Sequence, residues 1–136
     1  NGNSQGNGNN ESIKDSEAAE LFQKAQSESL KGLSGWKKAL EYLNEADELE
    51  PNNPIILHER ARLKIKSKID VNGGFLDHQA AIDNSSDSLF KKMRYENRAL
   101  DFLDCADICR ACEDWKKARE LGSSQGKKYH VNNCNN

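Results

Sequence analysis

Sliding the chain over itself by 72 residues lays Gly35–Leu49 on Asp107–Leu121. Ala39 then falls on Ala111, Glu41 on Glu113, Ala46 on Ala118, Glu48 on Glu120 and Leu49 on Leu121, while Leu43 meets Trp115. Two alanines seven positions apart lie two turns apart on one helical face. With a large apolar residue between them, they put small side chains where two helices must approach closely. A second echo, Arg60-Ala61 against Arg98-Ala99, is offset by 38. The 72-residue shift therefore divides into one repeat of 34 and one of 38, with roughly four extra residues in the middle unit. A period near 34 calls for stacked helix-turn-helix units, each burying its apolar face against the next. Trp36-Lys37-Lys38-Ala39 also matches Trp115-Lys116-Lys117-Ala118, but out of this register, and it carries no weight.

Local signals fit that frame. Pro51 and Pro54 bracket Asn52-Asn53, a firm helix stop and turn. Before them, Ser16 to Glu50 is rich in Ala, Leu, Glu and Lys, and a break over Lys31-Gly32-Leu33-Ser34-Gly35 divides it into two helices. Ile55 to Lys68 reads as a third helix, and Asp70-Val71-Asn72-Gly73-Gly74 as the next breaker. A shorter helix comes next over Phe75 to Ile82, closed by Asn84 to Ser88, with Asp87 or Ser88 as the next N-cap. Leu89 to Leu103 and Ile108 to Leu121 are two more, and Gln125 to Val131 a short last one. No alternation of β-branched residues marks a strand. The expected fold is all-α: a short α-solenoid of about three helix-turn-helix units (18–53, 54–88 and 89–122) with a capping helix and tail over 123–136.

Composition narrows the function classes. Hydrophobic residues make up 35% and charged residues 31%, as suits helices that each bury one stripe. A net charge of -2 and a pI near 6.0 give no overall basic field for nucleic acid or acidic lipid. No apolar run is long enough to span a bilayer. The opening NGNSQGNGNN is uniformly polar, and residues 1–15 are expected to form a disordered tether. This tether is read either as a spacer left after removal of a signal or lipid-anchor segment, or as a loose terminus.

The stretch Gly35-Trp36-Lys37-Lys38-Ala39-Leu40-Glu41-Tyr42-Leu43-Asn44-Glu45-Ala46-Asp47-Glu48-Leu49-Glu50-Pro51 resembles the second helix and closing turn of a tetratricopeptide repeat. Arg60-Ala61 and Arg98-Ala99 resemble the small-residue site of the first helix in the next two units. The resemblance covers about residues 18–122. The middle second helix, without a clear pair of spaced alanines, departs from it. The tail is similar to something narrower: Ala111-Cys112-Glu113-Asp114-Trp115-Lys116-Lys117-Ala118, Gly122, then Lys127-Lys128-Tyr129 and Cys134, resembles the closing unit of repeat proteins exported by Bacteroidetes-type bacteria. In this chain the last cysteine stands five residues beyond Tyr129 instead of beside it. The resemblance implies a non-enzymatic binding scaffold in the periplasm or cell envelope, with a protein or peptide partner, no cofactor and no metal.

Four cysteines leave the pairing open. Cys112, early in a second helix, and Cys134, after the capping helix, would meet if that helix folds back, closing a loop worth about 3 kcal/mol. A second bridge would join Cys105 and Cys109 across the turn between them. Zinc on Cys105, Cys109, Cys112 and His130 is disfavoured, because C-x3-C-x2-C lacks the paired knuckles of structural zinc sites. Free thiols in a cytoplasmic protein are the remaining alternative.

No catalytic constellation stands out. His58, His78 and His130 lie in separate segments, Gly73-Gly74 is no phosphate-cradling loop, and the acidic residues alternate with lysines along solvated helix faces. Trp36 and Trp115 read as packing residues. In the architecture that the resemblance implies, binding uses the concave surface lined by the first helix of each unit. The candidates there are His58, Arg62, Ile65 and Lys66 in the middle unit, and Met93, Glu96, Leu100 and Asp104 in the third. They do not reproduce the lysine- and asparagine-rich clamp with which chaperone-docking relatives hold a C-terminal carboxylate. The alternative to a peptide-binding module is a structural or self-associating subunit of a larger assembly, distinguished by concentration-dependent sedimentation.

Overall fold

A computed structural model of the chain describes residues 11–134. Among the described residues there are seven helices and no strand. They are α1 (Ser16–Ser29), α2 (Leu33–Leu49), α3 (Pro54–Ser67), α4 (Val71–Asp83), α5 (Ser88–Asp104), α6 (Ile108–Glu120) and α7 (Ser124–Asn133). The fold is all-α, built from neighbours in sequence: α1 packs on α2, α3 on α4 and α5 on α6, with α3 also against α2 and α7 against α6. The described residues fall into two compact units that divide at Asn84 and Ser85, and each is taken by itself below. No helix among the described residues is long and apolar enough to cross a membrane.

Short polar side chains start these helices by taking up backbone N–H groups that have no partner within the helix. Asp15 Oδ1 accepts from Ala18 N (2.8 Å), Asn53 Oδ1 from Ile55 N (2.9 Å) and Asp87 Oδ1 from Phe90 N (3.0 Å). Asp70 caps Gly73 N, Asp107 caps Arg110 N and Ser123 caps Gly126 N in the same way. Reversals between helices use left-handed residues: Gly32 (φ 74°), Asn52 (65°), Lys68 (62°) and Ala106 (60°).

In the first unit the core is Ala18, Leu21 and Ala25 of α1 against Ala39, Leu40, Leu43 and Ala46 of α2, extended by Ile56 and Leu63 of α3. Gly35, expected within a break, lies inside α2 and is buried. A Cβ there would overlap the Glu28 carbonyl oxygen, so α1 and α2 touch backbone to backbone at this point.

Two other expectations change. Residues 1–10 of the expected tether lie outside the described residues, but the stretch from Ser12 to Asp15 is held in place. Glu50 Oε1 accepts from Lys14 N (2.8 Å) and Asp15 N (2.7 Å), and Asn53 Nδ2 donates to Ser12 O (2.8 Å). The sequence places the start of the fourth helix at Phe75, whereas α4 starts at Val71. Asp70 supplies the cap that lets two glycines enter a helix, and Gly74 is used for its lack of a side chain. A Cβ on it would lie 2.6 Å from Ile65 Cγ1 and 2.9 Å from Ala61 O.

That placement settles the middle register. Gly74, His78 and Ala81 are buried at the spacing of Ala39, Leu43 and Ala46, and of Ala111, Trp115 and Ala118. Three second helices thus share one pattern: small, large four residues on, small three residues after that.

Candidate functional site

The candidate residues of α3 divide by burial. Arg62 and Lys66, one turn apart, are exposed, and Lys66 Nζ stands 5.9 Å from the Trp36 ring centroid. Ile65, expected on the same outward face, is buried. It fills the space beside Gly74 and belongs to the seam between α3 and α4, so the outward stripe is narrower than expected. His58 is half-buried and packs edge-to-face on His78, with ring centroids 5.5 Å apart and planes at 68°. His78 is fully buried, with Phe75 6.1 Å away on its own helix. The sequence keeps these two histidines in separate segments; the antiparallel return of α4 brings them together.

Beneath the stripe, Arg60 binds Asp77 of α4 through two parallel bonds, Nε to Oδ2 at 2.8 Å and Nη2 to Oδ1 at 3.0 Å. Its Nη1 reaches Asn44 Oδ1 (3.2 Å) and Asp47 Oδ2 (3.3 Å) of α2. Lys64 Nζ adds a 3.0 Å contact to Asp77. Burial works against the Arg60 charge, but the bonds and charges of Asp77 and Asp47 outweigh it and hold the guanidinium pKa above its ordinary value. With both Asp77 oxygens occupied, this cluster joins α2, α3 and α4 instead of presenting a free acid or base.

The second unit repeats the device. Arg98 Nε and Nη2 each donate at 2.8 Å to Asp114 of α6, and the guanidinium lies 5.7 Å from the Tyr95 and Phe102 ring centroids. The Arg-Ala echo in the sequence is half of this arrangement. The missing half was legible at an offset of 37, which lays Gly74, Asp77, His78 and Ala81 on Ala111, Asp114, Trp115 and Ala118. Reading Gly74 as part of a breaker hid it.

The expected α5 residues differ in exposure. Met93 and Asp104 are exposed and Leu100 is half-buried. Glu96 is turned toward the cap, where it accepts a short hydrogen bond from Ser123 Oγ, the hydroxyl that also caps α7. Glu96 is therefore occupied in fastening the last helix.

That cap is held at several points. Cys112 and Cys134 sit at disulfide distance, with Cα atoms 5.8 Å apart. The Trp115 and Tyr129 rings stack at 5.1 Å, and Gly126 brings α7 onto the α6 backbone, where a Cβ would lie 2.9 Å from Trp115 O. Cys105 and Cys109 are free, which corrects the optional second bridge. Cys105 ends α5 half-buried, whereas Cys109 lies in the exposed first turn of α6, beyond the left-handed reversal at Ala106. The set Cys105, Cys109, Cys112 and His130 does not converge: Cys112 is engaged by Cys134, and His130 Nδ1 faces Arg119 Nη1 at 3.3 Å. Among the described residues no group of three or more His, Cys, Asp or Glu side chains is placed to hold a metal ion.

Comparison with protein-family models, curated proteins and solved structures gives no match for this chain.

Proposed function

We propose that the chain is a binding scaffold of tetratricopeptide type that holds an extended segment of a partner protein along the exposed side of α3. The observation that carries this reading is the contrast across α3. Its inner side is fixed by Arg60 to two neighbouring helices, and its outer side presents Arg62 and Lys66 with the edge of His58 between solvent and core. A helix held this way presents its outward residues in a fixed array, which limits the ordering entropy lost on binding. Two cationic groups one turn apart select a segment that carries carboxylates. The small–large–small pattern shared by α2, α4 and α6 supports the repeat reading. The Cys112–Cys134 pair supports export to an oxidising compartment such as the periplasm or cell envelope.

Selection of displayed random peptides on the full chain, then titration of the enriched sequences, tests this reading. The expected peptides are acidic, and Arg62→Glu weakens them by about ten-fold while leaving the circular dichroism spectrum unchanged. Enriched peptides that bind the variant as well as the parent would rule out the α3 face.

A further inference from the structure

We infer that the end of the first unit formed by the α1–α2 and α3–α4 turns docks on an anionic lipid bilayer. Leu30 and Leu33 flank the Gly32 reversal and are 88% and 78% exposed, and Ile69, after the Lys68 reversal, is 56% exposed. The two turns lie at the same end, because α2 runs antiparallel to both its neighbours, and the Lys66–Trp36 contact joins them directly.

The net charge of the chain conceals what surrounds these residues. Lys31, Lys37, Lys38, Lys64, Lys66 and Lys68 fall in the segments 31–38 and 64–70, whose one acidic residue, Asp70, caps α4 and lies 3.9 Å from Lys64. Lys64 is occupied by Asp77 and Lys38 lies near Glu41, whereas Lys37, Lys66 and Lys68 are exposed and Lys31 meets only Glu28. The opposite end of the same helices carries Glu17, Glu45, Asp47, Glu48 and Glu50. The dipole of α2 does not account for this segregation. It has no acid in its first turn and no base in its last, the reverse of what a helix favours for its own stability.

Three aliphatic side chains at the outermost points of two turns, ringed by lysines, match a surface that is negative outside and apolar just beneath. Near-complete exposure makes Leu30 and Leu33 convex protrusions. A fluid bilayer closes around a protrusion without the matching cavity that a rigid acidic protein would need. The α5–α6 turn carries Leu103 and Ile108 beside Asp104 and Asp107 but no lysine, so it lacks the basic ring.

Co-sedimentation of the full chain with vesicles of equimolar phosphatidylcholine and phosphatidylglycerol, at low and high salt, tests this inference. Trp36 emission gives a second readout, since Trp115 is fully buried. Binding is expected on anionic but not pure phosphatidylcholine vesicles, falling with salt, with a blue shift of Trp36. Each exposed lysine is worth about five-fold in partitioning, so the Lys37→Gln/Lys68→Gln pair loses roughly 25-fold. Leu30→Ser/Leu33→Ser, at positions too exposed to matter for folding, loses about ten-fold or more. The charge-matched Lys116→Gln/Lys117→Gln pair on α6 leaves binding unchanged. Equal partitioning onto neutral vesicles, equal loss in the α6 control, or no vesicle binding would each overturn the inference. A Trp36 shift with soluble polyglutamate but not with vesicles would do so too, and would assign the surface to an acidic protein.

Discussion

Glu50 ties two parts of the first unit together through one side chain. Its Oε1 takes two backbone N–H groups from Lys14 and Asp15, and its Oε2 takes the Asn53 amide at 2.6 Å, so the lead-in to α1 is fastened to the turn between α2 and α3. Burial alone would raise its pKa, but the Asp15 N–H, the Asn53 side chain and the Lys14 N–H and charge together hold it below the ordinary glutamate value. A carboxylate whose pKa is lower in the folded state adds stability above its unfolded pKa and loses it as pH falls through the folded one. Because the group sits near solvent, which screens its charge, Glu50→Gln should cost no more than about 1 kcal/mol at neutral pH. The difference in melting temperature should close as the solution is acidified below the glutamate range. A gap of constant size in thermal melts from neutral to strongly acid pH would mean that the charge plays no part. The buried arginine–aspartate pairs are of another kind. Arg98 and Asp114 are 12% and 4% exposed in their side chains, so either one left alone is a desolvated charge, and removing one partner costs more than the intact pair contributes.

Gly74 decides the geometry of the α3–α4 pair. Alanine is the better helix former by about 1 kcal/mol, yet a methyl group here would meet Ile65 Cγ1 at 2.6 Å and the Ala61 carbonyl oxygen at 2.9 Å. The backbone oxygen cannot move aside cheaply, so Gly74→Ala should lower stability by about 1–3 kcal/mol in urea titrations. A stabilised variant would mean that α3 and α4 approach less closely than this. The same residue marks how far the sequence can be read. Helix number, order and most boundaries were legible, because alanine spacing, PNNP and the Asp and Ser caps are local signals. The start of α4 was not, because glycine in a turn and glycine at a helix crossing are the same letter until the neighbouring helix is in place. Ile65 was misplaced on the outward face for a related reason: Ile65 and Lys66 are adjacent, and only the position of α4 decides that one is buried and the other exposed. Asp77 and Asp114 were missed because the 37-residue echo that lays one on the other disappears once Gly74 is read as part of a breaker.

For the whole molecule the Cys112–Cys134 pair fastens the last helix to the one before it. In protein never exposed to reductant, alkylation after denaturation should label Cys105 and Cys109 alone, and reduction should cost about 3 kcal/mol through the freed loop. Four labelled thiols would remove the argument for export. The placement of the bond also has a mechanical consequence. Cys134 stands at the end of α7 and Cys112 is early in α6, 22 residues back. Tension applied through the C-terminus therefore crosses directly to α6, and α7 carries no load while the bond is intact. Stretched in optical tweezers, the oxidised chain should lack roughly 70 Å of contour length that the reduced chain releases. A tether at this end would then hold the protein without peeling away the helix that covers its last repeat.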